Sequence, residues 1–295
     1  MLESLLKNQA GVVTTQQMLA LGMSRGVIMR RAKQWSQPCR GLYLSTPPTF
    51  ESALWAGWLR GGPEAAIGEE AAAFRWGILD EVPKAVTVWA ESPRTNFHVD
   101  KWAVQFRRAH RESRRTPGLT LVEDTLLDIA HVRAEVPAVA AVLRGFADGF
   151  TTGERLAEKM RQRPRQRHRE LLQQLCSEPG LESVLEFLFL RNVVDAHGLP
   201  RPTLQAQRCS GRVDSRYGEY GLLLELDGGR YHRDKSRDFI RDNDHILEHA
   251  EKTLHFGWSQ ANEGACRAAA QVARGLMLGG WDGSRRRVSC HCLSA

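Results

Sequence analysis

Two spacings of apolar residues alternate along the chain, and together they predict a mixed α/β (α+β) protein. Apolar residues at helical spacing predict helices over residues 15–21, 25–33, 50–59, 65–74, 124–129, 136–146, 181–194, 235–252 and 262–278. Short apolar runs predict strands over residues 85–89, 99–106, 203–207, 212–214, 222–227 and 253–258, and a small hairpin over 35–44. No apolar run approaches the roughly 20 residues that span a bilayer.

Breaks in these patterns divide the chain into five segments. We expect a winged helix-turn-helix over residues 1–46, a small α/β domain over 49–160, a basic linker over 161–180, a second α/β domain with a mixed sheet over 181–280, and a flexible tail over 281–295. The linker carries Arg161, Arg163, Arg165, Arg167 and Arg169 at alternate positions. Such a run is typical either of a solvated surface or of contacts with phosphates.

Most of the excess positive charge lies in the first segment. The chain has a net charge of +7 and a pI near 9.3, and residues 1–46 hold six basic side chains against one acid, a net charge of +5. A basic balance of this kind favours a polyanionic partner, most simply nucleic acid.

The same segment has the pattern of a helix-turn-helix. Thr14 or Thr15 caps a first helix that Gly22 ends, and Ser24 caps a second helix with Val27 and Ile28 facing inward. The second helix of this motif enters the major groove of DNA. The DNA-binding side chains expected here are Arg25, Arg30, Arg31, Lys33 and, in the wing, Arg40. The alternative is a helical hairpin that only packs against the rest of the chain.

Two carboxylates interrupt the apolar run at residues 222–227. Glu225 and Asp227 project from one face of a strand, because alternate residues share a face. Asp214 is predicted to end the strand that forms a hairpin with this one, so the three carboxylates can converge on one cation. Oxygen ligands without a Cys/His cluster favour Mg²⁺ or Mn²⁺, which neutralise a phosphate and activate water.

Further charged residues surround these acids. Glu186 lies in a strongly apolar helix, where an acid is costly to bury, and Arg237 and Arg241 follow on the next helix as phosphate ligands or salt-bridge partners. The alternative is that the acids are structural remnants, each neutralised by an arginine such as Arg212, Arg230 or Arg241. In the middle of the chain, Glu69, Glu70 and Asp124 stand at helix starts, where the helix dipole and capping explain them better than catalysis does.

The six cysteines have no framework spacing, and the N-terminus has no basic-then-apolar leader, so a reducing cytoplasm is the expected location. Cys290-His291-Cys292 has metal-binding side chains, yet no second pair of ligands occurs at finger spacing. We therefore predict a frayed tail there.

The N-terminal half resembles AbiEi-type antitoxin regulators. Residues 11–14, 21–24 and 40–43 (Gly-Val-Val-Thr, Leu-Gly-Met-Ser and Arg-Gly-Leu-Tyr) are similar to their winged helix, and residues 61–63, 70–72, 86 and 119–130 are similar to the domain that follows. The family implies DNA binding, often repression of its own promoter, and a cognate toxin as a partner. This resemblance implies no catalytic residue in the chain.

Residues 181–278 resemble the bacterial domain related to very-short-patch repair endonucleases, within the PD-(D/E)xK superfamily. The resemblance rests on Ser183-x-x-Glu186, Arg212-Val213-Asp214, Leu224-Glu225-Leu226-Asp227-Gly228 with His232, and Arg237-Asp238-x-x-Arg241-Asp242-Asn243. It implies that Asp214 is the principal metal ligand and that Glu225 or Asp227 shares the ion. It further implies that His232 carries a proton and that Glu186 orients the site.

Three positions depart from the pattern of that resemblance. Asp227 stands where the superfamily has a lysine, as in the repair-nuclease branch, while His255 and Ala250 stand where the similar domains tend to have Arg and Gly.

These observations predict a cytoplasmic protein that binds double-stranded DNA and hydrolyses it as an Mg²⁺- or Mn²⁺-dependent endonuclease. The alternative is a non-enzymatic transcriptional repressor or antitoxin of a type IV toxin–antitoxin-like system.

Overall fold

The structure is a computed structural model, and it describes residues 1–92, 94–178, 180–208, 211–227, 251–284 and 289–290. The chain divides into two compact units, Met1–Cys176 and Ser177–Ala295. Helices accompany three sheets, which confirms the predicted mixed α/β class. None of the helices among the described residues has both the length and the apolar character needed to cross a membrane.

The first unit begins with three helices and a small antiparallel sheet. The helices are α1 (Leu2–Asn8), α2 (Thr15–Ala20) and α3 (Arg25–Ala32), and the strands are β1 (Val12–Thr14), β2 (Ser36–Cys39) and β3 (Leu42–Leu44), in the order β1-β3-β2. Their shared core consists of Leu2, Val13, Met18, Ile28 and Tyr43. The predicted helix, turn, helix and hairpin are therefore all present in this segment.

Local hydrogen bonds explain where the second and third helices begin. The Thr14 hydroxyl accepts from the Gln17 amide (3.1 Å), and the Gln17 side chain accepts from the Thr14 amide (2.9 Å), which is a capping box. Ser24 caps α3 as predicted. Val27, predicted to face inward, is 37% exposed, because α3 buries only a narrow stripe centred on Ile28.

A six-stranded sheet forms the rest of the first unit. Its strands are β4 (Ala66–Gly68), β5 (Ala85–Ala90), β6 (Phe97–Val99), β7 (Trp102–Arg108), β8 (Ser113–Arg114) and β9 (Leu119–Thr120), in the order β6-β7-β5-β4-β9-β8. The helices are α4 (Phe50–Gly61), α5 (Glu69–Trp76), α6 (Val122–Val132), α7 (Glu135–Ala147), α8 (Gly153–Arg161) and α9 (Arg169–Ser177). Helix α4 packs closely on the sheet, since a Cβ at Gly57 would lie 2.8 Å from the Val88 side chain.

Two sequence predictions in this region are wrong. Residues 66–68 form a central strand between β5 and β9 and not the start of a helix, because a short buried apolar run has no periodicity that separates the two structures. Residues 99–106 are not one strand. The chain turns at Asp100, whose φ is +54°, and β6 pairs back onto β7 as a hairpin.

The stretch predicted as a basic linker, residues 161–180, has structure of its own. Helix α9 lies within it, and most of it belongs to the first compact unit. Arg163 is ion-paired with Asp124 and Asp128, and the side chain of Gln166 is buried. Only part of the arginine run is therefore a solvated surface.

The second unit is built on a four-stranded mixed sheet. Its strands are β10 (Thr203–Arg208), β11 (Gly211–Tyr217), β12 (Leu222–Leu226) and β13 (Lys252–Phe256), in that order across the sheet. Three strands are antiparallel, and β13 runs parallel to β12. The helices are α10 (Val184–Phe189), which continues as a π-helix (Leu190–Asp195), α11 (Trp258–Ala261) and α12 (Ala265–Leu278).

The boundaries in this unit differ from the predictions at several places. The predicted strand over 253–258 ends at Phe256, and Trp258 begins α11. Asp214 lies within its strand and does not end it, since β11 continues to Tyr217. The predicted helix over 181–194 begins only at Val184 and changes to π-helical form at Leu190. Trp281, assigned to the flexible tail, is 7% exposed, so packed structure extends past residue 280.

Candidate active site

One row of polar side chains crosses the sheet of the second unit. The pairs Leu204↔Ser215 and Ala206↔Val213 place Gln205 beside Asp214. The pairing of β11 with β12 reaches Ser215↔Leu224, so Asp214 and Glu225 come at the next position along the two strands. Glu225 is in turn paired with His255 on the parallel strand β13. Opposite residues of neighbouring strands share a face. Four strands therefore contribute Gln205, Asp214, Glu225 and His255 to one row.

The Asp214 carboxylate is fixed by the strand beside it. Its Oδ2 accepts a hydrogen bond from the Leu226 amide at 2.7 Å, just past the backbone pair Ser215↔Leu224. Val213 and Ser215 on either side are fully buried, whereas Asp214 is half-buried. The sheet thus directs this acid away from the Val213 face and beside Glu225, which is 9% exposed.

Glu186 joins the row from helix α10. Its carboxylate accepts from the Glu182 amide (2.9 Å), the Ser183 hydroxyl (2.9 Å) and the Gln205 amide group (3.2 Å). Burial raises the pKa of the Glu186 carboxyl, and the charge of Asp214 raises this pKa further, while the hydrogen bonds lower it. The helix and the sheet therefore bring Glu186, Gln205 and Asp214 into one electrostatic group.

Asp227 occupies a different position. It follows β12, its side chain is 67% exposed, and its Oδ2 lies 3.5 Å from Nδ1 of His255. In the part of the chain that the structure describes, Asp214, Glu225 and Asp227 are not a group whose ligand atoms all lie within 4.8 Å of one another. The expected convergence of all three acids is thus reduced to the adjacent pair of Asp214 and Glu225.

Arg212 does not neutralise the site acids. Its guanidinium binds both oxygens of Glu182, at 2.8 and 2.7 Å, on the exposed edge of the unit. Arg216 pairs with the buried Glu251. The predicted site residues His232, Arg237 and Arg241, together with Arg230, lie outside the described residues.

The sequence prediction did not include Gln205 or assign a site role to His255. Gln205 carries a signal only in hindsight, as a polar residue within a strand, because the sequence does not give the register that places it beside Asp214. Its backbone φ of +49° is unusual for a non-glycine residue, and no sequence pattern indicates it.

A second candidate surface lies on the first unit. Arg25, Arg30, Arg31, Lys33 and Arg40 are all exposed. Arg40 is in the turn between β2 and β3, where Gly41 has a φ of +79°. Helix α3 and the hairpin together present the basic side chains that the sequence singles out for DNA binding.

The acids of the first unit have partners beyond their own helices. Glu69 accepts from the Thr87 hydroxyl (2.9 Å) and pairs with Arg107 (3.0 Å). Asp124 and Asp128 are each 3% exposed and share the guanidinium of Arg163. The expectation for Glu69 and Asp124 was incomplete, because partners far away in the sequence neutralise them.

A scan against protein-family models and a search of curated proteins both found no match to this chain.

Proposed function

We propose that this protein binds double-stranded DNA and that its second unit hydrolyses phosphodiester bonds as an Mg²⁺- or Mn²⁺-dependent endonuclease. The observation that carries the proposal is the polar row across β10–β13, in which Asp214 and Glu225 are adjacent and Glu186 approaches from α10. Closely spaced acids in a largely buried setting are costly unless hydrogen bonds, an ion pair or a bound cation compensates them.

The donor set of the row fits a hard divalent cation. Asp214 and Glu225 offer carboxylate oxygens, and Mg²⁺ is usually bound through one or two carboxylates, with water and phosphate oxygens completing its shell. When bound, such an ion neutralises the phosphate and lowers the pKa of a water molecule. Two adjacent acids therefore suffice, and Asp227 is not required as a ligand.

The other residues of the site position these groups. The Leu226 amide holds one oxygen of Asp214, and Gln205 holds Glu186 next to it. We assign to His232 the transfer of a proton near the scissile phosphate, because imidazole titrates near neutrality. Asp227 beside His255 lies at the exposed rim, where it orients that ring.

DNA binding is assigned to the first unit. The five exposed basic residues of α3 and the wing suit phosphate contacts, and α3 suits the major groove. The resemblance of the N-terminal half to the winged helix of AbiEi-type regulators supports this assignment, and the resemblance of the second unit to repair endonucleases supports the nuclease.

Cleavage of supercoiled plasmid tests the nuclease. The full chain should nick plasmid in Mg²⁺ or Mn²⁺ and not in a chelator. Asp214→Asn should lower the rate at least about 100-fold, because loss of a residue that only supports a metal ligand already costs up to about 100-fold in activity. Glu182→Gln is the matched control, because it removes a nearby exposed acid that pairs with Arg212. Thermal melting of each variant checks the fold.

Equal nicking by the wild type and Asp214→Asn, or no nicking by either on varied DNA substrates, would refute the nuclease. The second candidate, a non-enzymatic repressor or antitoxin with a cognate toxin, rests on the +5 charge of residues 1–46. It predicts sequence-selective footprints that survive Asp214→Asn in a protein that never cuts.

A further inference from the structure

Three side chains from distant parts of the second unit meet outside the acidic row. His197 follows the π-helix, Cys266 lies in the first turn of α12, and Cys290 belongs to the C-terminal segment. Their ligand atoms all lie within 4.8 Å of one another, and among the described residues this is the group of three that meets that criterion. Imidazole and thiolate are the preferred ligands of Zn²⁺.

The distance between the two sulfurs fits a shared metal ion. Sγ of Cys266 and Sγ of Cys290 are 3.7 Å apart. Two thiolates about 2.3 Å from a tetrahedral Zn²⁺ lie about 3.8 Å from each other, whereas the sulfurs of a disulfide are only about 2.05 Å apart. The observed separation therefore corresponds to two ligands of one ion.

His197 is held as a metal-binding histidine usually is. The side chain is 1% exposed, and its Nδ1 lies 3.0 Å from the carbonyl oxygen of Val193 in the π-helix. A ring that donates from Nδ1 carries its lone pair on Nε2, and a hydrogen bond to a backbone carbonyl is the common way to fix a metal-bound ring. The π-helix supplies that carbonyl, and Ser289 and Cys290 lie beside the turn that follows it.

Backbone hydrogen bonds bring the third ligand to the site. The amides of Ser289 and Cys290 both donate to the carbonyl oxygen of Ala196, at 3.0 and 2.9 Å. This is the residue before His197, so the C-terminal segment is tied to the same turn. The predicted frayed tail is therefore wrong at Cys290, and the partners missing at finger spacing come from positions far away in the sequence.

We propose that His197, Cys266 and Cys290 bind a Zn²⁺ ion, separate from the carboxylate row. Both thiols release a proton to solvent when they bind, and a water or a further donor completes the tetrahedron. The ion joins the turn after the π-helix, the start of α12 and the C-terminal segment. It thereby supports the packing of α12 against the π-helical continuation of α10, and α10 carries Glu186. This structural role does not depend on whether the row cuts DNA.

Metal analysis of the full chain tests the site. Protein purified with reductant and without a metal-affinity tag should contain one zinc ion per chain, and Co²⁺ added to the metal-free form should give a thiolate-to-cobalt charge-transfer band. Cys266→Ser and Cys290→Ser should each lose both signals. Cys176→Ser is the matched control, because it removes a half-buried thiol of the first unit.

His197→Gln is a further arm, but the side chain is buried, so the exposed Cys266 carries the test if that variant fails to fold. Chelation should lower the melting temperature of the wild type and leave that of Cys266→Ser unchanged. The proposal is overturned if the wild type holds no zinc and gives no cobalt band, or if both cysteine variants bind metal as the wild type does. A Cys266–Cys290 disulfide that persists in reductant, without a cobalt band, overturns it too. Asp214→Asn should keep its zinc, which separates this result from the nuclease test.

Discussion

Single residues in this protein are placed by partners that are remote in the sequence. Gln205 lies beside Asp214 through the register of β10 and β11 and donates to Glu186 on α10. Cys266 meets Cys290, which is 24 positions away. The sequence indicates which residue types are chemically capable, as it did for Asp214, Glu225 and Glu186. It does not indicate whether Glu225 or Asp227 lies within the row. In the structure β12 ends at Leu226, and Asp227 lies after it at the exposed rim.

Tyr217 provides a stability test at this scale. Its ring is buried, its hydroxyl has no hydrogen-bond partner among the described residues, and burial raises the pKa of the phenol above its usual 10.0. Tyr217→Phe should leave the free energy of unfolding unchanged or raise it by about 1 kcal/mol, since it removes an unsatisfied buried group. Urea denaturation at neutral pH measures this.

The same tyrosine predicts a pH dependence. Because the pKa of Tyr217 is higher in the folded than in the unfolded chain, the free energy of unfolding is unaffected by this group below pH 10.0. It falls as the pH rises beyond that value, since the unfolded chain then releases the phenol proton more readily than the folded chain. The wild type should therefore lose stability relative to Tyr217→Phe in alkaline buffer. The half-buried Tyr220 serves as the control, and an equal alkaline loss for Tyr220→Phe and Tyr217→Phe would contradict the assignment.

Among the elements, strong local signals survive and weak ones do not. The capped helices α2, α3 and α4 were predictable, because Thr14, Ser24 and Thr49 satisfy the first amides. Strand β4 was not, since its three residues become a strand only between β5 and β9. The hairpin of β6 and β7 depends on the positive φ of Asp100, a conformation that the sequence does not signal.

The guanidinium of Arg163 links helix α6 to the segment after α8. Arg163 is 2.5 Å from Asp124 and 2.6 Å from Asp128, and both acids are nearly inaccessible. Arg163→Ala leaves buried carboxylates with less compensation, so it should lower the free energy of unfolding by about 3 kcal/mol. Arg161→Ala, which breaks an exposed pair with Glu158 on the same helix, should change it by less than about 0.5 kcal/mol.

Chemical denaturation of the two variants checks this difference. Similar losses for both would mean that the two acids are neutralised elsewhere. Lys159 and Arg111 are the residues to examine in that event, since the Lys159 amine lies 3.1 Å from Asp124 and the Arg111 guanidinium 3.1 Å from Asp128.

At the scale of the whole molecule, the positive charge and the acidic row lie in different units. The first 46 residues hold +5 of the net +7, whereas the row belongs to the second unit. Affinity for DNA and cleavage of DNA should therefore be separable by mutation.

The double variant Arg30→Ala/Arg31→Ala should weaken DNA binding and reduce the slope of log affinity against log salt by roughly 2, because two phosphate contacts are lost. Asp214→Asn should keep both values. The matched control is Arg267→Ala/Arg274→Ala, which removes two exposed arginines from α12 in the other unit. This variant should have little effect on DNA affinity or on its salt dependence. Equal losses from the two pairs would place DNA binding elsewhere.

The order in which the strands join has a consequence for how the polar row assembles during folding. Leu226, whose amide binds Asp214, is 12 positions from it. Closing the short hairpin between β11 and β12 therefore brings Asp214 next to Glu225. His255 reaches Glu225 only after the crossover between β12 and β13 has closed, and longer loops lose more entropy on closure. Because contacts between distant residues form slowly, the pair of carboxylates is expected early and the parallel strand late.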